Sequence, residues 1–337
     1  MKYLLLATGA VAALALPWLV YPPVAVDIAV WALFAIAVDL LLGFTGLLSF
    51  GHAAFWGTAA YTTGIVALHT GVPFPLAVLA GALAAAALAV PIGYLSVRRT
   101  GIYFAMVTLA FAQMMYFIAN QWRGVTGGEN GLQGIPRRFF GVDLSDPFYF
   151  YYAALPIVGL GVLAAWRIVH SPFGRVLVAI RDNPARAQAL GYPVARYKLL
   201  AFVLSATLAG LGGGLHAVGH GLVSLQDVHW TTSGKVVLIV VLGGIGTLWG
   251  AALGAALVVQ LEDVLATAGF DGTGIVTGAV FVAVVLLFRR GMWGTATLWL
   301  SRLRTAPFWR RGRRTGAPPA PPDEQPASKL DLARKGA

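Results

Sequence analysis

The chain has 337 residues, 58% of them hydrophobic and 11% charged, with 24 lysines and arginines against 13 acids and a net charge of +11. An ordinary soluble domain carries about 25% charged residues, so this composition excludes a water-soluble globule. The cations sit in blocks between apolar runs and in the tail, which points to a membrane surface and away from nucleic acid, and the absence of cysteine excludes disulfides and thiolate metal sites.

Met1 and Lys2 precede an apolar run at 4–20, readable as a secretory leader or as a first span. No small-x-small cleavage site followed by a soluble domain is visible, and another apolar run begins at once, so a span is expected. That second run, 24–42, carries Asp27 near one end and Asp39 near the other. A carboxylate at membrane depth faces a bundle interior or a cavity, so Asp39 is expected to pair with His52, to cap the break at Gly43, or to carry protons.

In GFTGLLSFGHAAFWGTAAY, Gly43, Gly46 and Gly51 interrupt the apolar pattern, and Ser49 and His52 place polar groups there. Irregular backbone at this depth is tolerated only where protein buries it or a cavity meets it, which predicts a broken helix along a pathway or inside the bundle. Runs follow at 75–97, closed by Arg98 and Arg99, and at 101–120, carrying Thr108 and Gln113. The hydrophilic stretch 121–146 holds the turn-forming TGGENGL, with Thr126, Gly127, Gly128, Asn130 and Gly131.

A run at 148–169 leads into the cationic segment 170–198, HSPFGRVLVAIRDNPARAQALGYPVARYK. Within it Asn183 suits a helix cap, Pro184 a first helical position, Gly191 the left-handed residue past a helix end, and Pro193 blocks continuation. The resulting helix over 183–190 is only about 10 Å long and does not hold by itself in water, so a partner protein is expected to hold it. The next run, 199–218, spaces Ala206, Gly210 and Gly214 for close helix contact. In 236–261, Gly243, Gly244 and Gly246 permit a re-entrant hairpin, and Gly246, Gly250 and Gly254 recur at helix-packing spacing. A final run at 274–288 stops at Arg289 and Arg290.

Placing the three cationic blocks in the cytoplasm requires 236–261 to begin and end outside, which suits the acid-rich stretch 262–271. The expectation is an all-α polytopic membrane protein of about eight full spans, or ten if the hairpin counts as two, with broken or re-entrant segments and both termini cytoplasmic. Residues 1–294 form the membrane domain, and 295–337 a basic cytoplasmic tail, largely disordered.

Other chemistry is sparse. His216 and His220 stand one helical turn apart, but no HExxH glutamate, cysteine or acidic neighbour accompanies them, so outer-interface histidines and no metal are expected. The only Gly-Lys pair of loop-like context, Gly234-Lys235, lacks the remainder of a phosphate loop, so no cofactor is expected in this chain and any ATP binds another subunit. A membrane-embedded acyltransferase would need a His and carboxylate cluster that the sequence does not display.

Five blocks in order carry a resemblance: DLLLGFTGLLSFGHAAFWGTAAY, GIYFAMVTLAFAQM, TGGENGLQGIP, SPFGRVLVAIRDNPARAQALGYPVARYKLLAFVLSATLAGLGGGL and VLIVVLGGIGTLWGAALG. From about Asp39 to Gly254 the chain resembles the permease subunits of branched-chain amino-acid ABC importers of the LivM type. The resemblance implies a non-enzymatic transport subunit in a bacterial inner membrane. Its implied partners are a second homologous permease, two cytoplasmic ATP-binding subunits and an external solute-binding protein. It also implies that 170–198 is the coupling loop to the ATPase, with Ala187 and Gly191 in its A-x-x-x-G core, Arg175, Arg181 and Lys198 on its flanks, and Asn183 capping its helix. Asp39, Ser49, Gly51, His52, Thr108, Gly243, Gly244 and Gly246 would line the path or gate, and the 126–131 loop would face the binding protein. Asp39 stands where the family usually has asparagine, and Pro184 where the loop more often has an acid. Permeases for urea and short amides share these blocks, and a proton-coupled carrier using Asp39 and His52 is the rival outside the family.

Overall fold

Backbone in lipid must satisfy its own hydrogen bonds, and the apolar runs accordingly become helices. A computed structural model describes residues 2–139, 141–268, 273–287 and 291–295. Its helices are α1 (Lys2–Leu19), α2 (Pro22–Thr45), α3 (His52–Thr70), α4 (Phe74–Ser96), α5 (Ile102–Gln121), α6 (Arg123–Thr126), α7 (Pro147–Val169), α8 (Pro172–Asp182), α9 (Pro184–Ala189), α10 (Val194–His220), α11 (Trp230–Gly243), α12 (Leu248–Thr267) and α13 (Thr273–Leu287). Arg289, Arg290 and the expected tail beyond 295 lie outside the described residues.

Six helices, α2, α4, α5, α7, α10 and α12, are long and apolar enough to cross a bilayer. The all-α multi-pass architecture is therefore as expected. Helix α3 is 19 residues long but carries His52, Thr58, Thr62, Thr63 and His69, while α11 and α13 are shorter. Helix α1, whose residues 8–19 form another short apolar helix, joins them, and how many of these four cross sets a total between six and ten.

Helix α2 is apolar around its whole circumference, and 83% of its most apolar window is buried, which makes it the axis of the bundle. Helices α3, α4 and α10 close on one another through small residues. A side chain added at Gly210 would meet Ala59, Ala82 and Ala85, and one at Gly213 would strike the Trp56 backbone. The 206–214 spacing is thus used as anticipated, for close approach. Trp56 stacks on Phe34 of α2 at 4.4 Å and ties this layer to the axis.

Two helices are broken. Helix α2 ends at Gly46 (φ +72°), with Leu47 N–H donating back to Leu41 at 3.3 Å, and the chain runs irregularly to α3. The second break lies between α11 and α12, where Gly244 and Gly246 have φ of +118° and +77°. These two helices pack antiparallel: Gly243 lies against Gly250, Gly254 against Ile239, and Lys235 pairs with Glu262 at 2.5 Å. The region begins and ends at one end of the bundle, as a hairpin requires. Its two limbs are unequal: the 20 residues of α12 are long enough to cross the bilayer, whereas α11 has 14.

Helix α10 spans 27 residues, about 40 Å, and separates two ends of the molecule. At its start lie α8 and α9. At its far end β4 (Leu222–Val223) pairs antiparallel with β1 (Leu132–Gln133), while β2 (Arg138–Phe139) pairs with β3 (Val142–Asp143). The 126–133 loop is thereby held on the end of α10 opposite α9.

Candidate functional site

The two broken helices cross at Gly43. A side chain there would collide with the Asp39 carboxylate and with the Gly246 backbone, so the crossing admits only glycine at its present spacing. Asp39 Oδ1 accepts the Gly246 N–H at 2.7 Å. The elbow after α11 is thus held by a carboxylate on α2 that is itself fully buried. Asp39 belongs with neither the expected His52 pair nor a cap on its own helix. It restrains the other broken helix instead.

Arg181, at the end of α8, reaches the same crossing. Its Nη1 donates to the Gly43 carbonyl at 2.6 Å, its stem lies against Gly46, and Nε and Nη2 donate to Asp182 at 3.2 and 3.1 Å. The Gly43 carbonyl is one of the orphan acceptors at a helix C-terminus, where a guanidinium is favoured by both hydrogen bonding and the helix dipole. One cationic side chain therefore links the 170–198 segment to α2, and Asp39 carries that link on to the α11–α12 elbow.

Around the first break, Phe50 N–H donates to Thr108 Oγ1 at 3.2 Å, Gly51 N–H to Ser49 Oγ at 3.2 Å, and Ala53 N–H to Ser233 Oγ at 2.7 Å. His52 Nε2 lies 2.8 Å from Ser205 Oγ, whose hydroxyl donates to the Ala37 carbonyl. With its proton committed to Ala37, Ser205 accepts from His52, so the imidazole carries its proton on Nε2. Its ring packs edge-on to Phe55 and Phe202 at 5.8 and 6.0 Å. Asp39, Ser49, His52 and Thr108 are at most 1% exposed, so protein rather than open water surrounds them in this conformation.

The short helix of the cationic segment forms as its punctuation dictates. Asn183 Oδ1 accepts the Arg186 N–H at 2.9 Å, Pro184 opens α9, and Gly191 follows at φ +87°. From 181 to 193 only Ala187 is buried; Leu190 is 71% exposed. A depression of about 560 Å³ beside α9 is lined by Arg98, Gln188, Gly191, Tyr192, Arg196 and Lys198, which places two of the cationic blocks at one end. Lys198 is only 6% exposed and forms the floor of this surface, whereas Arg175 is exposed on α8.

Helix α8 was not foreseen as a separate element. Its signal was present: Ser171 caps it through Gly174 N–H at 3.3 Å, and Gly174, Leu177 and Ile180 form its buried stripe.

At the opposite end, Thr126 Oγ1 caps the 126–131 turn by accepting the Gly128 N–H at 3.3 Å, its hydroxyl proton shared between the Ala119 and Trp122 carbonyls, and Gly127, Gly128 and Gly131 adopt positive φ. Here too the fold joins groups that the sequence keeps apart. Asp27 of α2 meets His216 and His220, and Asp227 meets His216 from a short turn after β4.

Among proteins of known role, residues 22–285 match the family described as the permease component of branched-chain amino acid transport systems. The high-affinity branched-chain amino acid permease LivM of Salmonella typhimurium is 31% identical over 268 residues, 71% of this chain and 63% of that protein, and LivM of Escherichia coli matches to the same extent. The autoinducer 2 import permease LsrC of Klebsiella pneumoniae is 37% identical over 159 residues, 43% of this chain and 44% of that protein. The chain thus spans less than two thirds of the length of the LivM relatives it matches. With a family match over most of its length and a multi-pass helical fold, this chain belongs to the branched-chain amino acid transport permease family.

Proposed function

We propose that the chain is the permease subunit of an ATP-driven ABC importer and forms the path for branched-chain amino acids across a bacterial inner membrane. A second homologous permease, two cytoplasmic ATP-binding subunits and an external solute-binding protein complete the assembly, and ATP is bound on those partner subunits. The observation that carries this reading is the Arg181 bond to Gly43, which joins the exposed α9 segment to the crossing of the two broken helices. Closure of the ATPase subunits would shift α8 and α9 as a unit. Arg181 would pass that shift to α2, and Asp39 would pass it to the α11–α12 elbow. Residues Ser49 to His52, Thr108 and Gly243 to Gly246 then act as the gate, shut in the conformation described, and the 126–131 loop meets the binding protein.

The LivM relatives favour a branched-chain amino acid. The LsrC relatives, whose name states autoinducer 2 import, and the urea and short-amide permeases mark the other small polar solutes to be tried. A proton-coupled carrier is disfavoured because Asp39 and His52 sit in separate networks, one on Gly246 and the other on Ser205. Labelled leucine uptake into proteoliposomes decides between them. The reading requires the full complex and ATP, and uptake by this chain alone under a proton gradient would overturn it.

A further inference from the structure

The end of α10 away from α9 carries a group of side chains that transport has not used. His220 Nε2 lies 2.8 Å from Asp27 Oδ1, and His216 Nδ1 points at the same oxygen from 3.9 Å, too far for a hydrogen bond. The candidate ligand atoms of Asp27, His216 and His220 all lie within 4.8 Å of one another. A tetrahedral cation with bonds of about 2.0–2.2 Å holds its ligand atoms about 3.4 Å apart, so the three need only small side-chain rotations to enclose one.

The orientation of His216 supplies an independent argument. Its Nδ1 is buried and has no hydrogen-bond partner among the described residues. Its Nε2 faces Asp227 Oδ1 at 3.3 Å. A carboxylate at Nε2 keeps the proton there and leaves the Nδ1 lone pair directed at Asp27. Metal-binding imidazoles are supported in this way, with a carboxylate on the nitrogen remote from the ion. Two carboxylates balance a divalent charge. The neighbouring cation, Arg137, is engaged by the carbonyls of Val218 and Gly219.

We propose that Asp27 Oδ1, His216 Nδ1 and His220 Nε2 form a binding site for a divalent transition-metal cation such as zinc, with Asp227 as the positioning carboxylate and a fourth position open. This replaces the expectation of no metal: the acidic ligand missing from the sequence around the histidines comes from α2, 193 residues from His220. A bound ion would staple the start of α2 to the end of α10 and to the 225–227 turn, at the end where the 126–133 loop is held.

The test uses the full chain, freed of any affinity tag, in lipid nanodiscs with the subunits that accompany it. Zinc is titrated against a chromophoric chelator, and cobalt serves as a spectroscopic probe. One equivalent per chain is expected, with cobalt bands typical of nitrogen and oxygen ligands. Asp27→Asn and His220→Gln should abolish stoichiometric binding, and Asp227→Asn should weaken it about 10- to 100-fold. Should a variant fail to fold, the wild-type chain still decides, because protonation of the imidazoles must weaken binding at about pH 5 relative to about pH 7. Absence of stoichiometric binding by the wild type, or binding unchanged in both ligand variants, overturns the site. Unchanged affinity in Asp227→Asn overturns the positioning role.

Discussion

The α9 segment and the crossing at Gly43 are built from the same parts, short helix ends, positive-φ glycines and side-chain caps, and they meet through Arg181. They differ in what surrounds them. At the crossing Asp39 Oδ1 accepts the Gly246 N–H and the Gly43 carbonyl accepts from Arg181, inside the chain, where an unmade bond would cost about 1–3 kcal/mol. On α9 six residues are held by their own backbone bonds, the capping bond of Asn183 and the buried Ala187, and the outer face ends in an exposed leucine. A helix so short is not stable in isolation, and on the proposed function its exposed face is where a second protein would add the missing contacts. On that proposal the crossing sets the chain's own stability, and α9 would set its affinity for a partner.

Variants that separate these two roles sharpen the contrast. Gly43→Val should act most strongly, since its side chain must displace the Asp39 carboxylate or the Gly246 backbone. Overpacking of this kind costs about 1–3 kcal/mol or more, and should lower the apparent melting temperature of the purified complex and stop uptake. Asp39→Ala strips Gly246 N–H of its acceptor and should cost about 1–3 kcal/mol in the same melt, while Asp39→Asn, which keeps an oxygen, should cost less. At Gly191 an added Cβ meets nothing within 4 Å, so Gly191→Ala brings only left-handed strain of about 1–2 kcal/mol. Asn183→Ala should be mildest, losing about 1 kcal/mol of capping. Both α9 variants should lower the chain's melt less than Gly43→Val does and weaken ATPase-subunit binding, about fivefold for Asn183→Ala in a pull-down titration. A melt that falls as far for Gly191→Ala as for Gly43→Val would break the comparison.

What the sequence disclosed divides along the same line. The caps of α9 were legible because Asn183, Pro184 and Gly191 act on backbone within a few residues. The breaks at Gly46 and Gly244 were legible too, since glycines and polar residues inside apolar runs have few other uses in a membrane. Partners across the fold were not. For Asp39 the sequence offers His52, the break at Gly43 or a proton-carrying role, yet it bonds Gly246, 207 residues on, and His52 bonds Ser205, 153 residues on. Asp27 and His220 were likewise read as isolated groups. Local punctuation fixes where helices start and stop, whereas these pairings depend on which helices lie side by side, and nearly uniform apolar periodicity does not record that.

The direct test of the account is Arg181→Ala in the complete reconstituted transporter. Arg181 is the hydrogen-bonded link from the α8–α9 segment to the crossing, so the variant should assemble with its ATPase subunits and hydrolyse ATP while leucine uptake per ATP falls at least about tenfold, the loss of a charge-assisted bond of about 1.5–3 kcal/mol. Wild-type uptake per ATP in an assembled Arg181→Ala complex would contradict the account.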